Sequence, residues 1–183
     1  MKDFKKYIEI AILAHSENYV KNIKDAYRFG NKNTPYSIHP IWCASTLLTE
    51  HLLTNEIKTL GYKSLLLHDV IEDTNYKLDN EIEDDVISLV KEMTFSSFKD
   101  ETKKLEKMSD LCKLFKLYDK VSNLLDCSWM NSEQKKKYLK HTKYLIDFVE
   151  KKYGQLNIII IGKNICISIE KQLPPTFKYR FWR

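Results

Sequence analysis

LLLHDVIEDT, the stretch from Leu65 to Thr74, is an apolar run interrupted by four ionisable side chains. The apolar residues predict a buried helix, and side chains three and four positions apart on a helix share a face. Glu72 is therefore expected above His68 and Asp69, and Asp73 above Asp69, in one polar cluster. Because burying charges without partners costs several kcal/mol per ion, such a cluster needs a compensating partner.

Adjacent histidine and carboxylate side chains are ready ligands for a divalent cation, so the cluster predicts a metal site. The alternative is a solvent-exposed helix face, which is the commoner meaning of an isolated acidic tetrad. Two other segments favour the metal. Pro40 fits the first position of a helix, which places His39 at the N-terminal end of that helix and supplies a second imidazole. Asp119 and Asn123 share a face of the helix predicted over residues 116–125 and offer a further oxygen ligand.

Together the three segments resemble the HD-domain metallophosphohydrolases, and within them the alarmone hydrolases of RelA/SpoT type and their small stand-alone homologues of metazoan SpoT type. That family reads roughly R-K, nine residues, H-P, then L-H-D-v-v-E-D-T, then K-L-A-D-r-l-h-N. Here Arg28 stands eleven residues before His39, and the block from Leu67 to Thr74 is nearly complete. Lys116-Leu117-Tyr118-Asp119 and then Asn123 follow in the same order.

The resemblance implies a mainly α-helical HD-domain bundle that holds one divalent ion, usually manganese in these hydrolases. The implied ligands are His39, His68, Asp69 and Asp119. Two imidazoles and two carboxylates are consistent with Mn²⁺ and do not exclude iron or zinc. The resemblance also gives Glu72 and Asp73 the role of orienting or deprotonating the attacking water, and the pattern does not distinguish which of the two takes the proton.

Six residues are candidate substrate contacts: Arg28, Lys32, Tyr36, Asn123, Lys135 and Tyr138. Arg28 would hold phosphate oxygens bidentately, and Asn123 would hydrogen-bond the ribose or a phosphate. Lys135 and Tyr138 are the nearest counterparts of an arginine and a tyrosine that the last helix supplies in stand-alone hydrolases, with the register displaced by one residue.

The chain departs from the family pattern at two cationic positions. Phe29 stands where related hydrolases have a basic residue directly after the arginine, and Lys32 is the nearest substitute. Phe95 stands where they have a lysine after the threonine. His15 resembles the Ala-His of the family near the end of the first helix, but too many residues separate it from Arg28, so we interpret it as structural.

The chain has 183 residues, of which 43% are hydrophobic, a length that fits one globular domain. We assign residues 1–155 to the phosphohydrolase domain and residues 156–183 to a C-terminal hairpin and tail packed on it. The net charge of +5 comes from 30 basic and 25 acidic residues that are interspersed along the chain. This pattern indicates solvated helix faces and no nucleic-acid surface, while the modest cationic excess suits a small polyphosphorylated nucleotide.

Four cysteines lie at irregular spacings in apolar or helical contexts and are predicted to be reduced core thiols: Cys43, Cys112, Cys127 and Cys166. The N-terminus has no apolar signal region, and the sequence has no apolar run of membrane-spanning length, so we expect a soluble, cytoplasmic protein with no membrane partner. The aromatic and basic tail from Pro174 to Arg183 offers a surface for a groove or for a neighbouring subunit, which is compatible with a homo-oligomer.

Apolar spacing predicts a helical chain. The first expected helix runs from Phe4 to about Val20, and a second, short one ends near Tyr27. Further helices are expected from Pro40 to about Thr54, from Ile57 through Glu72, and from Leu78 or Asp79 to about Met93. The helix that carries Asp119 begins near Ser109-Asp110, and the last runs from Ser132 to about Tyr153. Two β-branched runs, Leu156–Ile161 and Ile165–Ile169, flank Gly162-Lys163-Asn164 and predict a short β-hairpin. The alternative for this segment is a buried helical end.

The leading functional hypothesis is hydrolysis of (p)ppGpp at its 3′ position to pyrophosphate and GDP or GTP. A second hypothesis is attack on another nucleotide phosphate, such as the 2′-phosphate of NADPH or a deoxynucleoside triphosphate, and Phe29 and Phe95 give it weight. A third is a nucleotide-binding sensor without catalysis. The intact Glu72 and Asp73 pair argues against the sensor, because binding alone needs no water-activating pair.

Overall fold

The computed structural model of the chain describes residues 2–28, 33–78 and 82–174, and these ranges are built from α-helices. The α-helices are α1 (Lys2–Ala14), α2 (Ile38–Leu48), α3 (Asn55–Leu67), α4 (Val70–Asp73), α5 (Asp84–Met93), α6 (Phe98–Lys104), α7 (Asp110–Leu125), α8 (Ser132–Tyr153) and α9 (Asn157–Gln172). Short 3-10 helices lie at Ile23–Ala26, Leu105–Lys107 and Cys127–Trp129. Within the described ranges, strand-like pairing is limited to two isolated bridges, so the predicted mainly α class is confirmed.

Helix α7 is the centre of the bundle, because it packs against α2, α3, α5, α8 and α9. Every residue from Cys112 to Ser122 is buried, so this helix has no solvent-facing side over three turns. A helix surrounded in this way is normally apolar all round. Helix α7 instead carries buried charged residues, Asp119 among them, and each of these charges requires a partner.

The long helix predicted from Ile57 through Glu72 is divided in the structure. Helix α3 ends at Leu67 and α4 begins at Val70, with His68 and Asp69 in the turn between them. Other predicted ends also moved: α1 ends at Ala14, α2 ends at Leu48, and α5 begins at Asp84. Of the two predicted starts of α5, Leu78 is not helical and Asp79 lies outside the described residues, as does the tail beyond residue 174.

The predicted C-terminal hairpin is wrong, because residues 157–172 form helix α9. Its buried residues recur at helical spacing: Ile158, Ile159, Gly162, Cys166 and Ile169. Gly162, expected in a turn, instead lies inside this helix, where an added Cβ would come within 3.0 Å of Val121 and 3.1 Å of Ile146. Packing on α7 and α8 therefore overrides the β propensity of the isoleucines, which is only a weak preference.

A buried carboxylate joins three helices close to the chain's centre. Glu50 follows α2 and accepts hydrogen bonds from the backbone N–H groups of Asn157 and Ile158, at 2.7 and 2.9 Å, and from the hydroxyl of Tyr118 at 2.9 Å. The first N–H groups of a helix have no intrahelical acceptor, and they carry partial positive charge. Glu50 satisfies them at α9 and holds α9 to α7 directly beside Asp119.

We expect Glu50→Ala to lower the free energy of unfolding by about 3–5 kcal/mol, since it leaves buried donors unsatisfied, at a cost of about 1–3 kcal/mol each. Urea denaturation of both proteins measures the difference. Glu9→Ala is the matched control, because Glu9 lies on an exposed face of α1, where its ion pair with Lys5 contributes little. Equal stability of Glu50→Ala and wild type would contradict the proposed role of this carboxylate.

The four cysteines are buried and unpaired with one another, as predicted. No helix in the described residues combines the length and the apolar character that a bilayer crossing requires.

Candidate metal centre

Three separate parts of the chain bring the four predicted ligands to one point. His39 comes from the first turn of α2, His68 and Asp69 from the turn after α3, and Asp119 from the middle of α7. The Nε2 atoms of the two imidazoles are 3.2 Å apart. Asp69 Oδ2 lies 3.0 Å from His68 Nε2 and 3.5 Å from His39 Nε2, and Asp119 Oδ1 lies 3.4 Å from His39 Nε2. All four residues are buried.

The hydrogen bonds of the two imidazoles leave both Nε2 atoms turned inward. His68 Nδ1 lies 2.7 Å from the carbonyl oxygen of Leu65, which can only accept, so His68 donates from Nδ1. His39 Nδ1 lies 2.8 Å from the hydroxyl of Ser122, to which it can donate in the same way. Two neutral imidazoles in this state direct the lone pairs of Nε2 toward each other and toward two carboxylates, an arrangement that a cation between them would satisfy.

The donor set therefore fits a divalent ion. Ligand atoms of His39, His68 and Asp119 all lie within 4.8 Å of one another, which is close enough to share one ion. Neutral imidazole nitrogens and carboxylate oxygens are ligands that Mn²⁺, Fe²⁺ and Zn²⁺ all accept, so the set does not choose among them.

Burial and charge act in opposite directions on these residues. Burial lowers the pKa of His39, and it also opposes protonation of His68, but the carboxylates of Asp69 and Asp119 together outweigh burial and raise the pKa of His68. Burial alone would raise the pKa of Asp119, yet Lys116 and Lys120 hold it well below its usual range. The site thus keeps its carboxylates ionised, as metal ligands must be.

Three of the predicted substrate contacts hydrogen-bond to this cluster, directly or through one another. The Tyr36 hydroxyl donates to Asp69 Oδ2 at 2.7 Å, and Asn123 Nδ2 donates to Asp119 Oδ1 at 2.6 Å. Arg28 Nη1 in turn donates to Asn123 Oδ1 at 3.2 Å. These bonds orient the two carboxylates, and the same three side chains also line the cavity above them.

Glu72 and Asp73, the predicted catalytic pair, lie on α4 and line the same cavity. Glu72 is only partly exposed at the cavity wall, and its Oε2 accepts a long hydrogen bond of 3.4 Å from the backbone N–H of Phe95. Burial, together with the negative charges of Asp69 and Glu72, raises the pKa of Asp73 to about 7. Burial and Asp69 also raise the pKa of Glu72. Carboxyl groups with raised pKa values in a cleft are suited to proton transfer.

The cavity has a volume of about 550 Å³, within the range of small-molecule sites. Its wall combines carboxylates with cations and many aromatic side chains. The aromatic lining residues are Tyr27, Tyr36, Phe95, Phe98, Trp129 and Tyr138. Flat apolar surfaces next to charged groups match the two parts of a nucleotide, its base and its phosphates.

Of the two predicted contacts on α8, one lies in the cavity. Tyr138 lines the wall and stacks on Phe98, with ring centroids 4.4 Å apart and planes 7° from parallel. Lys135, on the first turn of α8, is not among the lining residues. The remaining predicted contact, Lys32, lies outside the described residues, as does Phe29.

Sequence reasoning missed the cations and the carboxylate that α6 and α7 add to the wall. Lys116 and Lys120 of α7 and Glu101 of α6 all line the cavity and are buried. The ammonium group of Lys116 lies 5.4 Å from the ring centre of Phe95, so a lysine stands close to the position where this chain has Phe95 and the family pattern has a lysine. The sequence did show Lys116 and Lys120 on the same helix as Asp119, on either side of it. Their burial could not be predicted, because it depends on which helices surround α7.

His15 lies behind the site, against Tyr36. The two ring centroids are 4.7 Å apart, and within the described part of the chain neither ring nitrogen of His15 has a hydrogen-bond partner. Burial lowers the pKa of His15 to about 4 from 6.5. In folded protein the ring is therefore neutral across a pH range in which the unfolded chain protonates it.

This shift predicts a pH-dependent stability. As the pH falls from 6.5 to about 4, only the unfolded state gains a proton at His15, so this residue lowers the free energy of unfolding by about 3 kcal/mol. Below that range both states are protonated and the loss stops. His15→Phe keeps a ring against Tyr36 and should lose less stability than wild type over this range. Urea denaturation at pH 7, 5 and 4 measures the difference, and parallel losses in both proteins would contradict the prediction.

Neither a protein-family model nor a curated protein sequence matches the chain. Among solved structures, it is similar to a metazoan ortholog of SpoT, described as hydrolysing ppGpp and playing a role in starvation responses. The TM-score is 0.69 at 24% sequence identity, and the match covers 92% of this chain and 96% of the other. At this identity the similarity shows the fold, which the chain shares with a ppGpp hydrolase over nearly its whole length.

Proposed function

We propose that the protein is a metal-dependent phosphohydrolase that cleaves (p)ppGpp at its 3′ position and releases pyrophosphate and GDP or GTP. The observation that carries this proposal is the convergence of two imidazoles and two carboxylates in a nucleotide-sized cavity that also holds a pair of further carboxylates. The shared fold with a ppGpp hydrolase supports the choice of substrate.

His39, His68, Asp69 and Asp119 would hold one divalent ion, and we propose Mn²⁺. When bound, such an ion supplies positive charge at phosphorus and acidifies water. Tyr36 and Asn123 keep the carboxylates of Asp69 and Asp119 turned toward the site through their hydrogen bonds. Outer partners of this kind fix the geometry on which affinity for the ion depends.

Glu72 and Asp73 are proposed to orient the nucleophilic water and take its proton. Both side chains line the cavity one turn beyond Asp69, so they can reach a water that lies beside the ligand cluster. The environment raises the pKa of both carboxyl groups, which makes either one a better proton acceptor than an ordinary surface carboxylate. A cation in the site would oppose these shifts.

The rest of the cavity wall suits a nucleotide. Arg28 is buried at its edge, with its guanidinium 5.7 Å from the ring centre of Tyr36, and its planar fork matches phosphate oxygens. Trp129 is about half exposed and lines the cavity from the segment after α7, where it can stack on a base. Phe98 and Tyr138 form a second flat surface.

A second candidate is hydrolysis of another nucleotide phosphate, such as the 2′-phosphate of NADPH or a deoxynucleoside triphosphate. Phe95 favours it, because this apolar ring lies in the cavity wall where the related hydrolases are expected to present a lysine. A binding protein without catalysis has less support, since Glu72 and Asp73 both line the cavity. We further propose a cytoplasmic protein that acts on a small molecule, which the four buried free thiols support.

Product analysis tests the proposal. Protein stripped of metal and reloaded with Mn²⁺ is incubated in parallel with ppGpp, NADPH and deoxynucleoside triphosphates, with Asp119→Asn as the inactive control. We expect GDP and pyrophosphate in equal amounts from ppGpp. A preparation that is inert on ppGpp and active on another nucleotide would select the second candidate.

A further inference from the structure

Next to the four predicted ligands lies a second set of buried charges that the proposed mechanism does not use. It consists of Lys116 and Lys120 on α7, Glu101 on α6 and His141 on α8, each with at most 4% of its surface exposed. Two lysines buried this deeply need nearby negative charge. In the described residues they find it in Asp119, one of the predicted ligands, and in Glu101.

The two lysines bridge the two carboxylates. Lys116 Nζ lies 2.7 Å and Lys120 Nζ 3.1 Å from Asp119 Oδ2. On the other side, Lys120 Nζ lies 2.7 Å and Lys116 Nζ 3.7 Å from Glu101 Oε2. The other oxygen of Asp119, Oδ1, accepts the hydrogen bond of Asn123 and faces His39 Nε2 at 3.4 Å. One carboxylate oxygen of Asp119 thus serves the lysines while the other serves the candidate metal site.

Glu101 decides the charge of this set. Asp119 with two lysinium groups alone would carry one excess positive charge directly behind the metal site, and Glu101 cancels it. In a buried cluster, charges a few ångströms apart interact much more strongly than in water. A lysine whose positive charge is not neutralised by Glu101 would therefore attract the Asp119 carboxylate and repel a divalent cation.

A histidine of α8 lies on the other side of Glu101. His141 Nε2 lies 3.1 Å from Glu101 Oε1, the oxygen that faces away from the lysines. His141 Nδ1 lies 3.5 Å from the hydroxyl of Thr102, the next residue on α6. Helices α6 and α8 are therefore in contact at the point where Glu101 enters the cavity wall.

We infer that Glu101 is a positioning residue for the divalent ion, which acts through Lys116 and Lys120 on the charge and orientation of Asp119. The inference rests on the proposed function in one respect only, that a divalent ion binds at this site. It adds a residue from α6 that the sequence motif does not contain. Because the effect of Glu101 on the ion is electrostatic, it depends on the net charge of the buried set. Affinity that is lost with the charge of Glu101 should return when that net charge is restored.

Calorimetric titration of the metal-free protein with Mn²⁺ measures the affinity for the ion without reference to catalysis. Glu101→Gln keeps the size of the side chain and removes its charge, and we expect binding to weaken by about 10–100-fold, the scale found for outer partners of metal ligands. Lys120→Gln removes a positive charge and should bind at least as tightly as wild type. The double variant Glu101→Gln/Lys120→Gln is again charge-balanced and should regain most of the lost affinity.

Glu106→Gln is the matched control, because Glu106 is exposed on the 3-10 helix that follows α6, and its affinity should equal that of wild type. A wild-type protein that binds no Mn²⁺ would overturn the metal site and this inference together. Wild-type affinity in Glu101→Gln, or a double variant as weak as Glu101→Gln, would overturn the inference alone. If Glu101→Gln does not fold, Lys120→Gln decides, since weakened binding there contradicts the charge argument.

Discussion

Replacing His39 with alanine should leave a folded protein that neither retains a divalent ion nor hydrolyses nucleotides. The imidazole Nε2 of His39 is the meeting point of the cluster, within 3.5 Å of His68 Nε2, Asp69 Oδ2 and Asp119 Oδ1. Without it, the site has one ligand fewer. His68 and the two carboxylates then no longer form a set that one ion can satisfy. We expect Asp69→Ala to have the same effect, because it removes an oxygen 3.0 Å from His68 Nε2.

Elemental analysis of the purified variants, with circular dichroism to check the fold, measures this outcome. His51→Ala is the control, since His51 is exposed in the segment between α2 and α3 and should keep both metal and activity. The helical core should survive in His39→Ala, because most of its buried contacts do not involve the site. Full metal occupancy in both His39→Ala and Asp69→Ala would show that the ligand assignment is wrong.

Glu72→Gln should separate binding from chemistry. If Glu72 with Asp73 activates the water, the amide keeps the shape of the side chain and loses the proton acceptor, so kcat should fall by about 10²–10⁴-fold, the usual contribution of a general base. Metal content should be unchanged, since Glu72 is not one of the candidate ligands and its Oε2 accepts from the backbone N–H of Phe95. The KM for the substrate should change little.

Steady-state kinetics and metal analysis on the same preparation test this. Glu133→Gln, on the exposed first turn of α8, serves as the control for loss of a carboxylate elsewhere. Turnover near the wild-type rate would remove Glu72 from the mechanism. Loss of the metal would instead make Glu72 a ligand.

The site shows where sequence reasoning succeeds. Histidine and carboxylate residues in three ordered segments predicted a cluster, and the structure brings His39, His68, Asp69 and Asp119 together. The continuous helix on which this cluster was predicted is divided in the structure. Neighbours on a regular helix do not face each other, and His68 and Asp69 share the site because the chain turns between α3 and α4.

The C-terminal segment shows where sequence reasoning fails. The isoleucines of residues 158–169 have high β propensity, and Gly162 looks like a turn residue. Their burial pattern is helical, and Gly162 allows close approach to Val121 and Ile146. Helix or strand in such a run depends on the surface against which it packs, and that surface belongs to distant helices.

The sequence by itself determined the mainly helical class and the residue types of the site, because both depend on local spacing and on the chemistry of each side chain. Only the tertiary structure decided which charges are buried. In the sequence, Lys116 and Lys120 look like ordinary exposed lysines of a helix. In the structure, the helices around α7 bury them, and Glu101 of α6 pairs with both. The physical reason is that the energy of a charge depends on its desolvation and on its partners in space, and those partners lie far apart in the chain.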